Sequence, residues 1–224
     1  MADTKATQPT ILLISLLLEL WFDEMYAPLL TTLGSKASVK RVKKGPSAIR
    51  LLTETPRPSA VLITDAAPSK EEHSDVWDAI LQYVRQGGTA VIMGQFSSFV
   101  KPPSMEPFFS KAGLPWKNGP YYRTTFKINR GATGDNIAAH LPESYSQKAL
   151  FVKDVALADS WYVTDDNSVI ESHVFAPENA HTPGETPVAF ASVGEGKLGY
   201  VGDVNSEVGS TRVVLAMCGL PGEI

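Results

Sequence analysis

Apolar residues along this chain come in short runs separated by stretches with helical spacing, the alternation that builds βαβ units. The first run, residues 11–18, is continuously apolar, as a strand buried on both faces requires. Residues 22–33 then repeat apolar positions at helical intervals and stop at Gly34. Residues 38–42 alternate like a half-exposed edge strand, and a short helix is predicted after Pro46, whose fixed φ suits a first turn. A third strand is predicted at 60–64. Behind it Ser69 and Glu72 stand at capping-box spacing, ahead of a helix whose Trp77, Ile80, Leu81 and Val84 share one face and which Gly87-Gly88 ends. A fourth strand follows at 89–93. Right-handed crossovers between these four strands predict a flavodoxin-like order with the first strand central.

Residues 102–119 are rich in proline, glycine and aromatics, and predict an irregular excursion containing a short helix at 106–112. Strands are predicted at 122–128, 149–155 and 169–175, then a hairpin of 187–193 and 197–201 around Gly194-Glu195-Gly196, and a last helix at 206–217. The predicted class is α/β: a doubly wound, mostly parallel sheet with a late β-hairpin. No repeat, low-complexity tract or linker divides the chain, so 1–224 reads as a single domain with residues 1–9 expected to be disordered.

Composition narrows this picture. A chain of 224 residues with 43% hydrophobic content builds one ordinary core. Its net charge of -4 and the lack of a long basic block give no reason to expect nucleic acid, and the basic residues of 40–44 read as the solvated face of a strand. The single cysteine, Cys218, forms no intrachain disulfide and no cysteine metal cage; it fits a cytoplasmic setting and reads as a buried small hydrophobe. The apolar run is broken by Glu19 and followed by Trp21-Phe22-Asp23-Glu24, too short to span a bilayer and without a cleavage site, so no membrane partner is expected. No cofactor and no metal is predicted. A small molecule is the expected partner, with self-association left open.

The third strand, its long helix, the Gly-Gly stop and the fourth strand ending in Met93-Gly94-Gln95-Phe96-Ser97-Ser98 form one suggestive block. Pro187-Val188-Ala189-Phe190, followed by Gly196-Lys197-Leu198-Gly199-Tyr200-Val201-Gly202-Asp203, forms another. Together they resemble the core and late hairpin of class I glutamine amidotransferases and their ThuA-like relatives, over half of the chain. More loosely, the whole chain is similar to stand-alone fungal proteins. The resemblance implies that family's fold, and it also shows what is missing. The family's nucleophile turn, Gly-x-Cys-x-Gly, corresponds to Gly94-Gln95-Phe96-Ser97-Ser98, and no base activates a phenyl ring. Its His-x-Glu pair corresponds to Asp203-Val204-Asn205 or to Asn205-Ser206-Glu207. Glutamine hydrolysis through a cysteine thioester is therefore not expected.

In open parallel sheets ligands bind beyond the carboxyl ends of the strands. This places Glu19, Asp65, Gln95, Phe96, Ser97 and Ser98 on one rim, joined by Asp203, Asn205 and Glu207 if the hairpin lies as in the family. The same residue types also shape turns and cap helices. Ser97 or Ser98 as a nucleophile needs a histidine, and only His73, His140, His173 and His181 exist. Glu171 and His173 fall on one face of a predicted strand, either an acid/base pair or a solvated one. Tyr121-Tyr122-Arg123 offers planar surfaces and a guanidinium suited to a sugar ring or carboxylate, or else a packed strand entry. Three functions compete: a non-amidotransferase that binds a small polar, carbohydrate-like ligand at the carboxyl ends of the strands; a serine hydrolase or acid/base isomerase or lyase using Ser97, Ser98, Glu171, His173 or Asp203; and a protein-binding scaffold presenting 102–122.

Overall fold

The computed structural model describes residues 8–172, 174, 176 and 178–221. The first apolar run is strand only as far as its neighbours reach. β1 (Thr10–Ile14) lies parallel between β2 (Ser38–Val42) and β3 (Ala60–Ile63), and its last register partners are Val42 and Ile63. The Ser15 N–H still reaches the Val42 carbonyl at 2.9 Å, after which residues 16–18 leave as a loop instead of prolonging the strand. At the other end the Pro9 carbonyl accepts from the Ser38 N–H at 2.8 Å, so the sheet's hydrogen bonding extends into the segment expected to be disordered.

Two helices, α1 (Phe22–Met25) and α2 (Ala27–Lys36), replace the one predicted. The break at Tyr26 lets Pro28 sit in the first turn of α2, where its missing N–H has no partner to lose, and α2 runs through Gly34. α3 (Gly45–Thr53) follows Lys44 as expected. α4 (Ser74–Arg85) begins four residues later than the capping-box pattern suggests. The Ser69 Oγ donates to the Ala66 carbonyl at 2.7 Å, and 3₁₀ turns at Ala67–Ser69 and Glu71–His73 occupy the intervening chain. The predicted face of α4 holds: Trp77, Ile80, Leu81 and Val84 are buried, each worth about 1.5–3 kcal/mol of apolar burial. Trp77 stacks on Phe108 of α6 (Pro102–Lys111), ring centroids 3.9 Å apart. Gly87, at φ +97, supplies the left-handed stop before β4 (Thr89–Ile92) and α5 (Phe96–Phe99).

The rest of the chain adds β5 (Lys117–Ile128), the single-turn helices α7 (Arg130–Thr133) and α8 (Asp135–Ala138), β6 (Ser144–Lys153), β7 (Ser160–Val163), β8 (Val188–Val193), β9 (Gly196–Val201) and α9 (Val208–Met217). All strands join one sheet in the order β2-β1-β3-β4-β9-β8-β7-β5-β6. The first five are parallel, with β9 returning beside β4, and the other four are antiparallel. The sheet is thus parallel at one end only, not mostly parallel. The late hairpin is β8 and β9. The predicted strand at 169–175 is absent among the described residues, where Val169 makes only an isolated bridge to Asn179, and β7 was not predicted.

The antiparallel half curls back on itself. Leu150 N–H donates to the Gly202 carbonyl at 3.0 Å, Val204 N–H donates to the Lys148 carbonyl at 3.1 Å, and Val152 and Thr186 exchange a pair of bonds. β6 therefore crosses the carboxyl end of β9. The crossing is so close that a Cβ on Gly202 would lie 2.0 Å from the Leu150 oxygen. Residues of the parallel strands alternate between two cores. Leu12, Ile14, Val61 and Ile63 pack with α3, α4 and α6, whereas Ile11, Leu13, Ala60 and Leu62 pack with α2 and α9. The result is a mixed α/β protein whose parallel end has the flavodoxin-like strand order.

Candidate functional site: two clefts divided by a crossing strand

The turn after β4 is closed. Phe96 is fully buried, 5.2 Å from the Phe108 ring and 6.4 Å from that of Tyr200. The Tyr200 hydroxyl donates to the Leu150 carbonyl at 2.7 Å, so the Ser97 hydroxyl is the donor in its 3.2 Å bond to Tyr200. Ser97 thus serves the crossing strand and is not paired with a histidine; Ser98 is exposed. Asp65 and Gln95, also placed on this rim by the sequence, turn inward and hold backbone. Asp65 accepts from Leu17 N–H at 3.0 Å and from Ala67 N–H at 2.9 Å, and the Gln95 Oε1 accepts from Glu19 N–H at 2.8 Å. Burial pushes the Asp65 carboxyl above the usual range, and the N–H bonds oppose that rise.

These bonds shape the first cleft, a cavity of about 900 Å³ at the carboxyl ends of β1 and β3. Leu16, Leu17, Leu18 and Phe99 supply its apolar lining, with Lys70, Glu71 and Lys101 among its polar residues. Asp65, Gln95, Phe96 and Ser97 build its supports and do not line it.

A second cleft of about 910 Å³ lies across β6 and gathers Tyr121, Tyr122, Arg123, Lys148 and Glu171. Arg123 is fixed from two sides, Nη1 donating to Ser146 Oγ at 3.2 Å and Nη2 to Glu207 Oε1 at 2.5 Å. The Asn205 amide, turned to suit its neighbours, also accepts from Nη2 at 2.8 Å. Glu171 is not on a strand. Its N–H donates to the Arg123 carbonyl at 2.8 Å, and its carboxylate accepts from Thr125 Oγ1 at 3.1 Å and Ser146 Oγ at 3.0 Å. Beneath, Asp203 accepts the N–H groups of Asn205 and Glu207, both at 2.7 Å. These bonds pin a turn in which Ser206 takes a positive φ of 56, a conformation costing about 1 kcal/mol for a non-glycine residue. Asp203 is buried, which raises its carboxyl pKa.

The Tyr121 ring is half exposed, with the Lys148 ammonium 5.2 Å from its centroid. Tyr122 packs on Phe151 and donates its hydroxyl to the Ala180 carbonyl at 2.9 Å; burial pushes its pKa up to about 12. The structure thus brings Tyr122, Arg123, Glu171 and Asn205 together, with Asp203 holding the last in place. Ser146 and Lys148, in a segment 145–148 that the sequence reads as an exposed turn rather than as polar ligand contacts, lie instead on β6 beside them. Their signal was the period-two alternation of β6, which puts both on the face opposite Tyr145 and Gln147. His173 lies outside the described residues. His181 Nδ1 shares a 3.2 Å bond with Thr164, and His73 stands 3.8 Å from Glu72. Among the described residues no three carboxylate, histidine or cysteine side chains converge to hold a metal, and no helix is long and apolar enough to cross a membrane.

No protein-family model and no curated protein matches the chain. Solved structures do. A ThuA-like protein from Bacteroides uniformis superposes over 97% of this chain and 92% of its own with a TM-score of 0.58 at 11% identity. A cytoplasmic protein from Salmonella typhimurium matches over 95% of this chain and 97% of its own, TM-score 0.52, 15% identity. A β-galactosidase from Halorubrum lacusprofundi matches 96% of this chain with 31% of its own, TM-score 0.53, 16% identity. At such identities the likeness concerns architecture, and on it the chain has the fold of the ThuA-like proteins, the class I glutamine amidotransferase-like fold.

Proposed function

We propose that this protein binds a small polar, carbohydrate-like ligand in the Arg123 cleft and does not hydrolyse glutamine. The observation that carries the reading is the convergence, from separate segments, of a half-exposed tyrosine ring with a guanidinium, an ammonium and a carboxylate already held by neighbours. A sugar presents an apolar C–H face and a ring of hydroxyls that donate and accept. Tyr121 suits the face, while Arg123, Lys148 and Glu171 suit the hydroxyls. Because these polar groups are fixed beforehand, little ordering entropy opposes binding. The cleft borders the carboxyl end of β9, where Asp203, Asn205 and Glu207 follow the strand.

Saturation-transfer NMR and calorimetry with neutral hexoses, disaccharides and hexuronates test this. At least one class should bind saturably, and Tyr121→Ala and Arg123→Lys should each weaken it by about tenfold. Absence of binding across the panel, or variants that bind as well as the parent, would refute the site. Ammonia release from glutamine by Phe96→Cys should stay at background, because the ring is packed against Phe108 and Tyr200 and, among the described residues, no histidine bonds to the turn; measurable glutaminase would show that a base is already in place.

A further inference from the structure

The strand-end cleft has a property that the Arg123 cleft lacks. Two of its lining side chains are large, apolar and exposed, Leu17 at 45% and Phe99 at 50%, and the chain leaving the cleft continues with Leu20 at 101% and Trp21 at 41%. Trp21 and Phe99 form a tilted ring pair with centroids 6.5 Å apart, so the patch joins two loops into one surface. Scattered single exposures need no explanation, but an exposed ring pair beside an apolar-lined cavity does. The charges beside it are also unusual. Among the described residues Lys70, Lys101, Glu19 and Glu71 all line the cleft and none of them makes an ion pair. Cations and anions share one cavity without neutralising each other, while the floor between them is leucine and alanine.

We infer that the strand-end cleft binds a small zwitterion with an apolar side chain, such as an apolar amino acid. The apolar group lies on Leu17 and Phe99, the ligand's anionic end faces the lysines, and its cationic end faces the glutamates. A volume of about 900 Å³ is ample for a ligand of this size and lies within the usual range of small-molecule pockets. The site shares no lining residue with the Arg123 cleft.

Trp21 provides the readout, since Trp77, Trp116 and Trp161 are no more than 2% exposed. Its emission is titrated with L-leucine and L-phenylalanine, with N-acetyl-leucine amide, which keeps the side chain but neither charge, and with glycine, which keeps only the charges. Leucine or phenylalanine should change the signal saturably, and the amide and glycine should bind at least about tenfold more weakly. Phe99→Ser and Lys101→Gln, both at exposed positions, should each weaken leucine binding by about tenfold while leaving the melting temperature in place. Three results would overturn the inference: no saturable change with either amino acid, equal binding of the amide or of glycine, or variants indistinguishable from the parent. A fourth is a concentration-dependent dimer that Leu20→Asp abolishes, because the patch would then be an interface between copies.

Discussion

In the Arg123 cleft the charged groups answer one another: Arg123 meets Glu207 and Ser146, Glu171 meets Ser146 and Thr125, and Lys148 rests over Tyr121. In the strand-end cleft Lys70, Lys101, Glu19 and Glu71 are left without ion pairs beside an apolar floor. Self-paired groups present oriented donors and acceptors with little net field, which suits a neutral polyol. Unpaired charges beside leucine side chains favour a ligand that brings charges of its own. Both clefts rest on a buried aspartate that accepts two backbone N–H groups, Asp65 under one and Asp203 under the other. What differs is the chain each aspartate supports: an apolar loop that has outrun its strand, or a turn beside a two-stranded ribbon.

The largest effect should come from the place where β6 crosses β9. Gly202→Ala places a methyl group on the Leu150 carbonyl and should cost at least about 3 kcal/mol in urea unfolding, disturbing ligand signals in both clefts. A variant as stable as the parent would mean that β6 does not cross where described. Next come the two supports. Asp65→Ala and Asp203→Ala each strand two N–H groups and should cost about 2 kcal/mol, yet each should disturb only its own cleft: Trp21 emission for the first, saccharide binding for the second. Equal damage to both readouts by either variant would break the comparison.

The smallest effect is in pH dependence. Burial raises both carboxyls above their ordinary value of 3.8, so the folded state holds protons that the unfolded chain has already released. Their contribution to stability is fully present below the unfolded value and is lost as pH rises through the raised folded one. The stability gap between parent and each Asp→Ala variant should therefore be wider near about pH 4 than near about pH 7. A gap that widens toward neutrality would show that the N–H bonds outweigh burial.

Much of the parallel end was legible because burial there leaves a simple trace: the face of Trp77, Ile80, Leu81 and Val84, the left-handed Gly87, and the alternation of 38–42. The apolar run at 11–18 misled because an apolar residue beyond the strand looks like one inside it. Only the ends of β2 and β3 reveal where the ladder stops. The polar strand-end residues were found, but their direction was not. Asp65 and Gln95 satisfy backbone groups of a loop some fifty and seventy-six positions upstream, a pairing that local sequence does not encode. Glu171 looked like part of a strand because polar and apolar residues alternate around it, whereas its backbone is tied to Arg123 by a bond that depends on how β5 curls. For Tyr121-Tyr122-Arg123 the sequence offered a ligand surface or a packed strand entry, and Tyr122 takes the second, packing on Phe151 and bonding the Ala180 carbonyl, because the alternation along β5 does not say which ring the neighbouring strand covers.

The burial of Phe96 also constrains descent. A cysteine nucleophile could not be introduced at this turn through one advantageous substitution. Removing the ring opens a hole against Phe108 and Tyr200, and Tyr200 carries the hydrogen bond that holds β6 down through Leu150. Each early step on that path loses stability before any chemistry appears, so selection for folding alone keeps the turn shut. The crossing strand acts in this sense as a latch: as long as β6 lies over the end of β9, the turn after β4 stays sealed.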